Sequence, residues 1–281
     1  MHNTKTKLMQ DLIRIQKEHY QLQEGEEVQD FVTQMLQYIG DPQPELRDDL
    51  IYTTFQKWIF EMNKFTDEEL RNLLSILIDK QHLLYHLGNA GDLTVLTRAF
   101  SVLPIALILH RHLKQPFLAF SDFQAVKNAL LRFYKEEKDL RGYLPVEGWA
   151  HSAAHGADAL EELIQCPESD MSLQLEVLDV IKGMLHNGIY IFCDEEDERI
   201  ASIVDTMIVK NLIPNEKITD WLISLADCAD WTRNRDQMIA QINSKNFIRS
   251  LYFRREYVSH NNQLAAALLE AEGKLNNFAT H

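Results

Sequence analysis

Thr66-Asp67-Glu68-Glu69-Leu70-Arg71-Asn72-Leu73-Leu74-Ser75-Ile76-Leu77 decides the fold class of this chain. Thr66 followed three residues later by Glu69 has the form of a capping box, in which a hydroxyl and a returning carboxylate satisfy the free amides of a first helical turn. Leu70, Leu73, Leu74 and Leu77 then recur at helical spacing and give the segment one apolar face. The same grammar repeats outward. Ser121-Asp122-Phe123-Gln124 has the second box, and further helix starts are expected near Glu26, Arg47, Asp92, Trp149, Ser172, Glu195, Asn215, Asn234 and Asn261. Breaks fall at Gly40-Asp41-Pro42, Gly88 to Gly91, Pro116, Gly142 to Pro145, Pro167 and Pro214. Strand signals are scarce, so the expected class is all-α, with about a dozen helices. Helix pairs recur at roughly the 40-odd residues of HEAT-like repeats. That is too many helices for one four-helix core, which points to an α/α superhelix. No Gly/Ser/Pro-rich linker interrupts the sequence, so residues 1–281 are read as a single solenoid-like domain.

Composition narrows the function classes. With 46% apolar residues among 281, the chain can bury a substantial core. Its 28 basic against 42 acidic residues leave a formal charge of −14, which repels nucleic acid and anionic membranes and favours solubility or cationic partners. Cys166, Cys193 and Cys228 are odd in number and contain no CxxC pair, which fits a reducing cytoplasm. The longest apolar run, Ala99 to Leu109, falls short of the roughly 20 residues a membrane span needs, and the segment after Met1 is charged and amphipathic, so neither insertion nor export is expected.

The block Gly148-Trp149-Ala150-His151-Ser152-Ala153-Ala154-His155-Gly156-Ala157-Asp158 carries the candidate chemistry. On an ideal helix the positions i, i+4, i+7 and i+11 share a stripe, so His151, His155, Asp158 and Glu162 project the same way. Trp149, Ala153, Gly156, Ala157, Leu160 and Ile164 fall on the other side, where small residues let a neighbouring helix approach. His151, His155 and Asp158 suit a divalent metal such as zinc, and Glu196 or Glu198, at the start of a helix expected from Glu195, could complete the set. The zinc-protease pattern itself fails, because Ser152 stands where its general base belongs. The same stripe also reads as a metal-free polar pocket or a solvated helix face, and the acidic turn at Glu196 reads equally as dipole compensation.

Two arginines need partners. Arg98 interrupts the apolar segment Leu93 to Leu109, and a buried guanidinium requires a carboxylate or a bound anion. Arg141, before Gly142-Tyr143, either clamps its loop to Asp139 or Asp158 or presents its fork to a ligand at a pocket mouth shared with Tyr143. Phe247 to Tyr257 interleaves aromatics with Arg249, Arg254 and Arg255, but Phe247, Ile248, Leu251, Tyr252 and Val258 recur as a packing face, so a core helix with an arginine side is expected rather than a nucleic-acid surface. Trp58, Trp221 and Trp231 read as core. No phosphate-binding glycine loop, dinucleotide fingerprint or serine-nucleophile elbow is present.

Asp139-Leu140-Arg141-Gly142-Tyr143, Gly148-Trp149-Ala150-His151 and Ala154-His155-Gly156-Ala157-Asp158 resemble the central signature of a bacterial family known as domain of unknown function 2785. Asp197-Glu198-Arg199, Asn246 to Arg254 and Arg98-Ala99-Phe100-Ser101 resemble further segments of it. The resemblance implies one contiguous helical domain and supplies no activity or cofactor. The resulting expectation is a cytoplasmic helical-repeat protein binding a protein, peptide or small ligand in a groove lined by His151, His155 and Asp158, with Trp149, Arg141, Tyr143, Glu196 and Arg98 as further candidates. The alternative is a metal-binding enzyme, perhaps a hydrolase, using the same stripe with Glu196 or Glu198. A HEAT-like nucleic-acid repair protein is a third, opposed by the charge.

Overall fold

The computed structural model describes residues 2–258 and 262–278. The protein is mostly helical, with twelve α-helices and one two-stranded sheet among the described residues, so the all-α expectation holds. Its contacts gather into two compact units, the first ending at Glu162 and the second beginning at Leu163.

The first unit contains α1 (His2–Lys17), α2 (Val28–Gln37), α3 (residues 45–61), α4 (Asp67–Leu77), α5 (Thr94–Lys114) and α6 (Phe120–Glu136). The strands β1 (Tyr143–Leu144) and β2 (Gly148–Trp149) follow, and α7 (Ser152–Leu163) closes the unit. The capping box of α4 forms as read: the Glu69 amide donates to Thr66 Oγ1 at 3.2 Å and the Thr66 amide to Glu69 Oε2 at 2.8 Å. Leu70, Leu73, Leu74 and Leu77 are buried. The second box is displaced. α6 starts at Phe120, and since Ala119 has no hydroxyl, only the returning arm forms, from the Ala119 amide to Asp122 Oδ2. In α3, Glu45–Tyr52 and Gln56–Glu61 are wound as π-helix on either side of the α turn Thr53–Phe55. The sequence gives no warning of this rare winding.

α5 is the central helix of this unit, with its residues from Val95 to Ile105 almost all buried despite Pro104. It extends well beyond the Ala99–Leu109 run, and its 21 residues are long and apolar enough by composition to cross a membrane. Two thirds of that window is packed inside the protein, as in the core helix of a folded domain. The small-residue face of α7 is buried as expected: Ala153, Ala157 and Leu160 are in the core. A Cβ on Gly156 would stand 2.8 Å from Tyr134 Cδ2 and 3.1 Å from Phe133 Cε1, so only glycine allows α6 this close.

The second unit contains α8 (Met171–Leu185), α9 (Glu196–Val209), α10 (Asn215–Ser224) with a 3₁₀ extension (Leu225–Asp230), α11 (Arg235–Val258) and α12 (Asn262–Leu275). Asp170 caps α8 through the Leu173 amide, and Asn234 caps α11 through the Gln237 amide. α9 packs on α11, while α10 and α11 both pack on α12. Phe247, Ile248 and Leu251 form the buried face of α11, as their spacing predicts. The expected helix start at Asn261 lies outside the described residues, as do the side chains of Tyr257 and Val258. Trp58 and Trp221 are core residues, but Trp231 is 45% exposed, with its ring edge against His186. It sits where the 3₁₀ turn ends in extended backbone, outside the periodic pattern that suggested burial.

Candidate functional site

The hairpin before α7 corrects the reading of its start. Trp149 belongs to β2, paired with Tyr143, and is 40% exposed rather than on the packed face. The helix begins three residues later, at Ser152. His151 makes the turn in the left-handed region at φ +54°, which histidine tolerates better than most residues. Its amide donates to the Arg141 and Gly142 carbonyls, and its own carbonyl receives the His155 amide at 2.9 Å. His151 therefore caps α7 instead of lying on its stripe. Its ring stacks on Trp149 with centroids 4.7 Å apart and meets His155 edge-on at 5.7 Å. His155 in turn meets Phe100 at 5.4 Å and holds the Ala99 carbonyl at 3.1 Å from Nδ1. Tyr143 packs edge-on to Trp149, so a row of rings runs from the exposed hairpin to the core of α5.

Arg47, which the sequence reading treated only as a helix start, anchors this hairpin from α3. It is fully buried and donates to the backbone carbonyls of Asp41 at 2.7 Å, Glu147 at 2.7 Å and Trp149 at 3.1 Å. Its guanidinium lies 4.5 Å over the Phe100 ring. Burial pulls the Arg47 pKa below its ordinary value, against the opposing pull of Asp48, Asp41 and Glu147. Arg47 shares the buried stripe of Leu46, Leu50 and Ile51, a spacing that could have flagged it. On the hairpin, Leu144 and Ala150 join Val95 and Leu96 of α5 in one apolar cluster.

The two arginines singled out in the sequence are both engaged inside the protein. Arg98 is fully buried, with Nε 2.6 Å from Glu137 Oε2 and Nη2 2.9 Å from Glu137 Oε1. It also donates to the carbonyls of Tyr85, His86 and Asn89 and to Thr94 Oγ1. No donor is left to receive a ligand, so Arg98 braces the loop before α5 to the end of α6. Arg141 chooses Asp139 over Asp158: Nε and Nη2 donate to its two carboxylate oxygens at 2.7 and 2.6 Å, and Nη2 also reaches the Asp92 carbonyl. Asp139 holds the Arg141 pKa above its ordinary value, chiefly through that side-chain hydrogen bond. Ser152 Oγ, the residue in place of the protease base, donates to the Asp139 carbonyl at 2.6 Å.

Farther along α7, Asp158 and Glu162 line an open cleft of about 280 Å³. Tyr52, Gln56 and Phe60 of α3 form one side, and Leu103, Ala106, Leu107 and His110 of α5 form another. His110 Nδ1 lies 3.0 Å from Glu162 Oε1, and its ring packs 4.9 Å from Phe60. The cleft thus gathers the second half of the predicted stripe. His151 and His155 belong to the aromatic row instead. Tyr52, Gln56, Phe60 and His110 escaped the sequence reading because each lies on a different helix from the signature block.

A family model described as "Protein of unknown function (DUF2785)" matches residues 83–253, more than half of the chain. The chain belongs to this family. Comparison with curated proteins and with solved structures gave no match. The weaker segments of the DUF2785 resemblance turn out to be contact partners. Arg98-Ala99-Phe100 meets Glu137 and His155 within the first unit. In the second unit, Asp197 accepts from Ser250 Oγ at 2.8 Å, and Glu198 accepts from Arg254 Nη2 at 2.8 Å. Arg255 and Arg249 pair with Asp205 and Glu272.

Glu196 is fully buried at the start of α9, in line with Ile200, Ile203 and Met207 as expected. Its Oε2 accepts the amides of Asp194 at 2.8 Å and Cys193 at 3.2 Å, closing the loop into the helix. Burial raises its pKa despite those bonds. At Glu198, burial pushes upward, but hydrogen bonds from Arg254 and Ser250 and the arginine charge prevail and leave it below the usual range. Among the described residues, no group of three or more His, Cys, Asp or Glu side chains is placed to hold a metal ion.

The raised Glu196 pKa means that the folded state holds its proton more tightly than the unfolded chain does. Its contribution to stability falls as pH rises through the carboxylate range into the higher folded value. Glu196→Gln keeps an oxygen acceptor for both amides and removes the buried charge. It is expected to raise the melting temperature at pH 7, with the gain shrinking toward pH 4. Calorimetry at both pH values checks the sign, and an equal effect at each would remove ionisation as the cause.

Proposed function

We propose that this DUF2785 protein is a helical binding protein that takes a small ligand or a peptide side chain in the cleft between α3, α5 and α7. The observation that carries this reading is the convergence of Tyr52, Gln56, His110, Asp158 and Glu162 around the apolar patch Phe60, Leu103, Ala106 and Leu107 in one open cleft. A few polar groups on an apolar wall are the usual make-up of a ligand site. The braced hairpin supports the reading by fixing the entry to α7, which keeps the Asp158–Glu162 wall in place. A HEAT-like repeat is supported in the second unit by next-but-one packing, α9 on α11 and α10 on α12, the contact order that stacked helix pairs produce. A cytoplasmic location rests on three cysteines, odd in number and without a CxxC pair, and the avoidance of nucleic acid on the net charge and on Arg249, Arg254 and Arg255 being matched to carboxylates.

Ala106→Trp tests the cleft directly, because Ala106 is part of its lining and an indole there fills the space. Compounds and short peptides that stabilise the wild-type chain in a thermal-shift screen are expected to lose that effect in Ala106→Trp. Retained stabilisation by every hit, with the variant folded by circular dichroism, would place binding elsewhere.

A further inference from the structure

We infer that the loop between α4 and α5, together with the C-terminal end of α6, forms a second binding site that takes a phosphate monoester on a small apolar body. The hollow there has a volume of about 310 Å³. Lys80 and His86 of the loop and Arg132 of α6 supply its basic side, and Leu84, Tyr85 and Leu87 its apolar side. None of them lines the cleft between α3, α5 and α7. The loop is held in shape from inside: Leu83 is buried in the core, and Arg98 donates to the carbonyls of Tyr85, His86 and Asn89. Its basic side chains therefore stand on a fixed backbone, which lowers the ordering cost of binding.

Two observations point to an anion. The first is a local inversion of charge. The chain carries −14 overall, yet the lining of this hollow holds two full cations and a histidine and contains no carboxylate. Salt screens exposed charges beyond about 8 Å at physiological ionic strength, so an arriving anion responds to the near cations and not to the distant surplus. The second is that the donors are unspent. Among the described residues, the exposed Lys80 ammonium and the His86 ring nitrogens have no hydrogen-bond or ion-pair partner; the His86 ring only meets Tyr85 edge-on at 4.4 Å. Arg132 spends Nε on the Glu136 carboxylate at 3.1 Å, and its Nη1 and Nη2 have no protein partner there. Arg98 and Arg141, by contrast, commit their forks to Glu137 and Asp139. Asp79, beside Lys80, is itself engaged, its Oδ1 taking the Gln81 amide at 2.7 Å and lying 2.9 Å from His82 Nδ1. A phosphate monoester brings about −1.5 to −2 charges and three acceptor oxygens, which match an ammonium, the free end of a guanidinium and an imidazole. A carboxylate, with one charge, would leave one cation unmatched. Leu84, Leu87 and the Tyr85 ring receive the body of the ester.

The test is calorimetric titration of the full chain with phenyl phosphate, beside benzoate, inorganic phosphate and benzyl alcohol. Phenyl phosphate is expected to bind, benzoate and inorganic phosphate about tenfold more weakly or less, and benzyl alcohol not at all, with salt weakening the affinity. Lys80→Ala and Arg132→Ala should each weaken phenyl phosphate about tenfold, and Ala106→Trp should leave it unchanged. Lys80 and Arg132 are exposed and their variants independent, so if circular dichroism finds one misfolded, the other remains decisive. Benzoate as tight as phenyl phosphate would overturn the phosphate assignment, and inorganic phosphate as tight would overturn the apolar half of the site. Benzyl alcohol as tight, no binding of phenyl phosphate, or an affinity unchanged in either folded alanine variant would overturn the site. Loss of binding in a folded Ala106→Trp would overturn it too, by moving the ester to the cleft.

Discussion

Arg98→Ala is expected to destabilise the protein by about 3–5 kcal/mol, the cost of breaking a buried ion pair from one side. The truncation leaves the Glu137 carboxylate fully buried, with only the Lys138 and Asp139 amides on one of its oxygens. It also strips the Tyr85, His86 and Asn89 carbonyls of their donor. Against a total stability of about 5–15 kcal/mol, the loss is a large share, and the midpoint of thermal unfolding should drop by about 10 °C. Urea denaturation of Arg98→Ala, Glu137→Leu and the double variant Arg98→Met/Glu137→Leu separates the causes. The double variant should recover much of the loss, because it removes both charges and leaves no orphan. A single-variant cost under 1 kcal/mol would mean that water reaches the pair and that the loop before α5 is not held by it.

Arg98 also shows what the sequence could tell. A lone arginine in the run Leu93 to Leu109 required a buried partner, and that demand was met, though the partner's identity was not written there. Glu137 is 39 residues away, across the length of α6. The capping box at Thr66 and the close approach at Gly156 were legible for a similar reason: each is a local rule of backbone and size. The hairpin was not. Four strand residues are too few to show alternation, and the exposed Trp149 imitates the first apolar position of the helix that follows it. The Ser121 box misled because its pattern is satisfied by Asp122 acting on Ala119 one turn edge earlier. The cleft was legible only in half. Asp158 and Glu162 belong to the predicted stripe, but His110, Tyr52 and Phe60 reach it through the packing of α5 and of the π-wound α3, which no local spacing encodes.

Arg47→Ala is expected to release the hairpin before it unfolds anything else. Unlike Arg98, Arg47 has no carboxylate in hydrogen-bond contact, so its removal strands no opposite charge; what it leaves are the carbonyls of Asp41, Glu147 and Trp149 without their donor. A solvent-excluded acceptor without a partner costs about 1–3 kcal/mol, and the Glu147 and Trp149 carbonyls can recover water by swinging outward. The global loss should therefore stay near 2–4 kcal/mol, smaller than for Arg98, with the opening concentrated at residues 142–151. Hydrogen exchange is the measurement that sees this difference. The amides of Ala150 and His151, bonded to the Gly142 and Arg141 carbonyls, should lose protection while those of α4 keep theirs. Trp149 fluorescence should shift toward that of a solvated indole as its stack on His151 loosens. Arg47→Lys, a single point donor in place of a fork, should rescue less than half of the effect. If exchange at 150 and 151 is unchanged in Arg47→Ala, the hairpin is held by the Leu144–Ala150 contact with Val95 and Leu96, and the π-wound helix beneath it plays no part in placing α7.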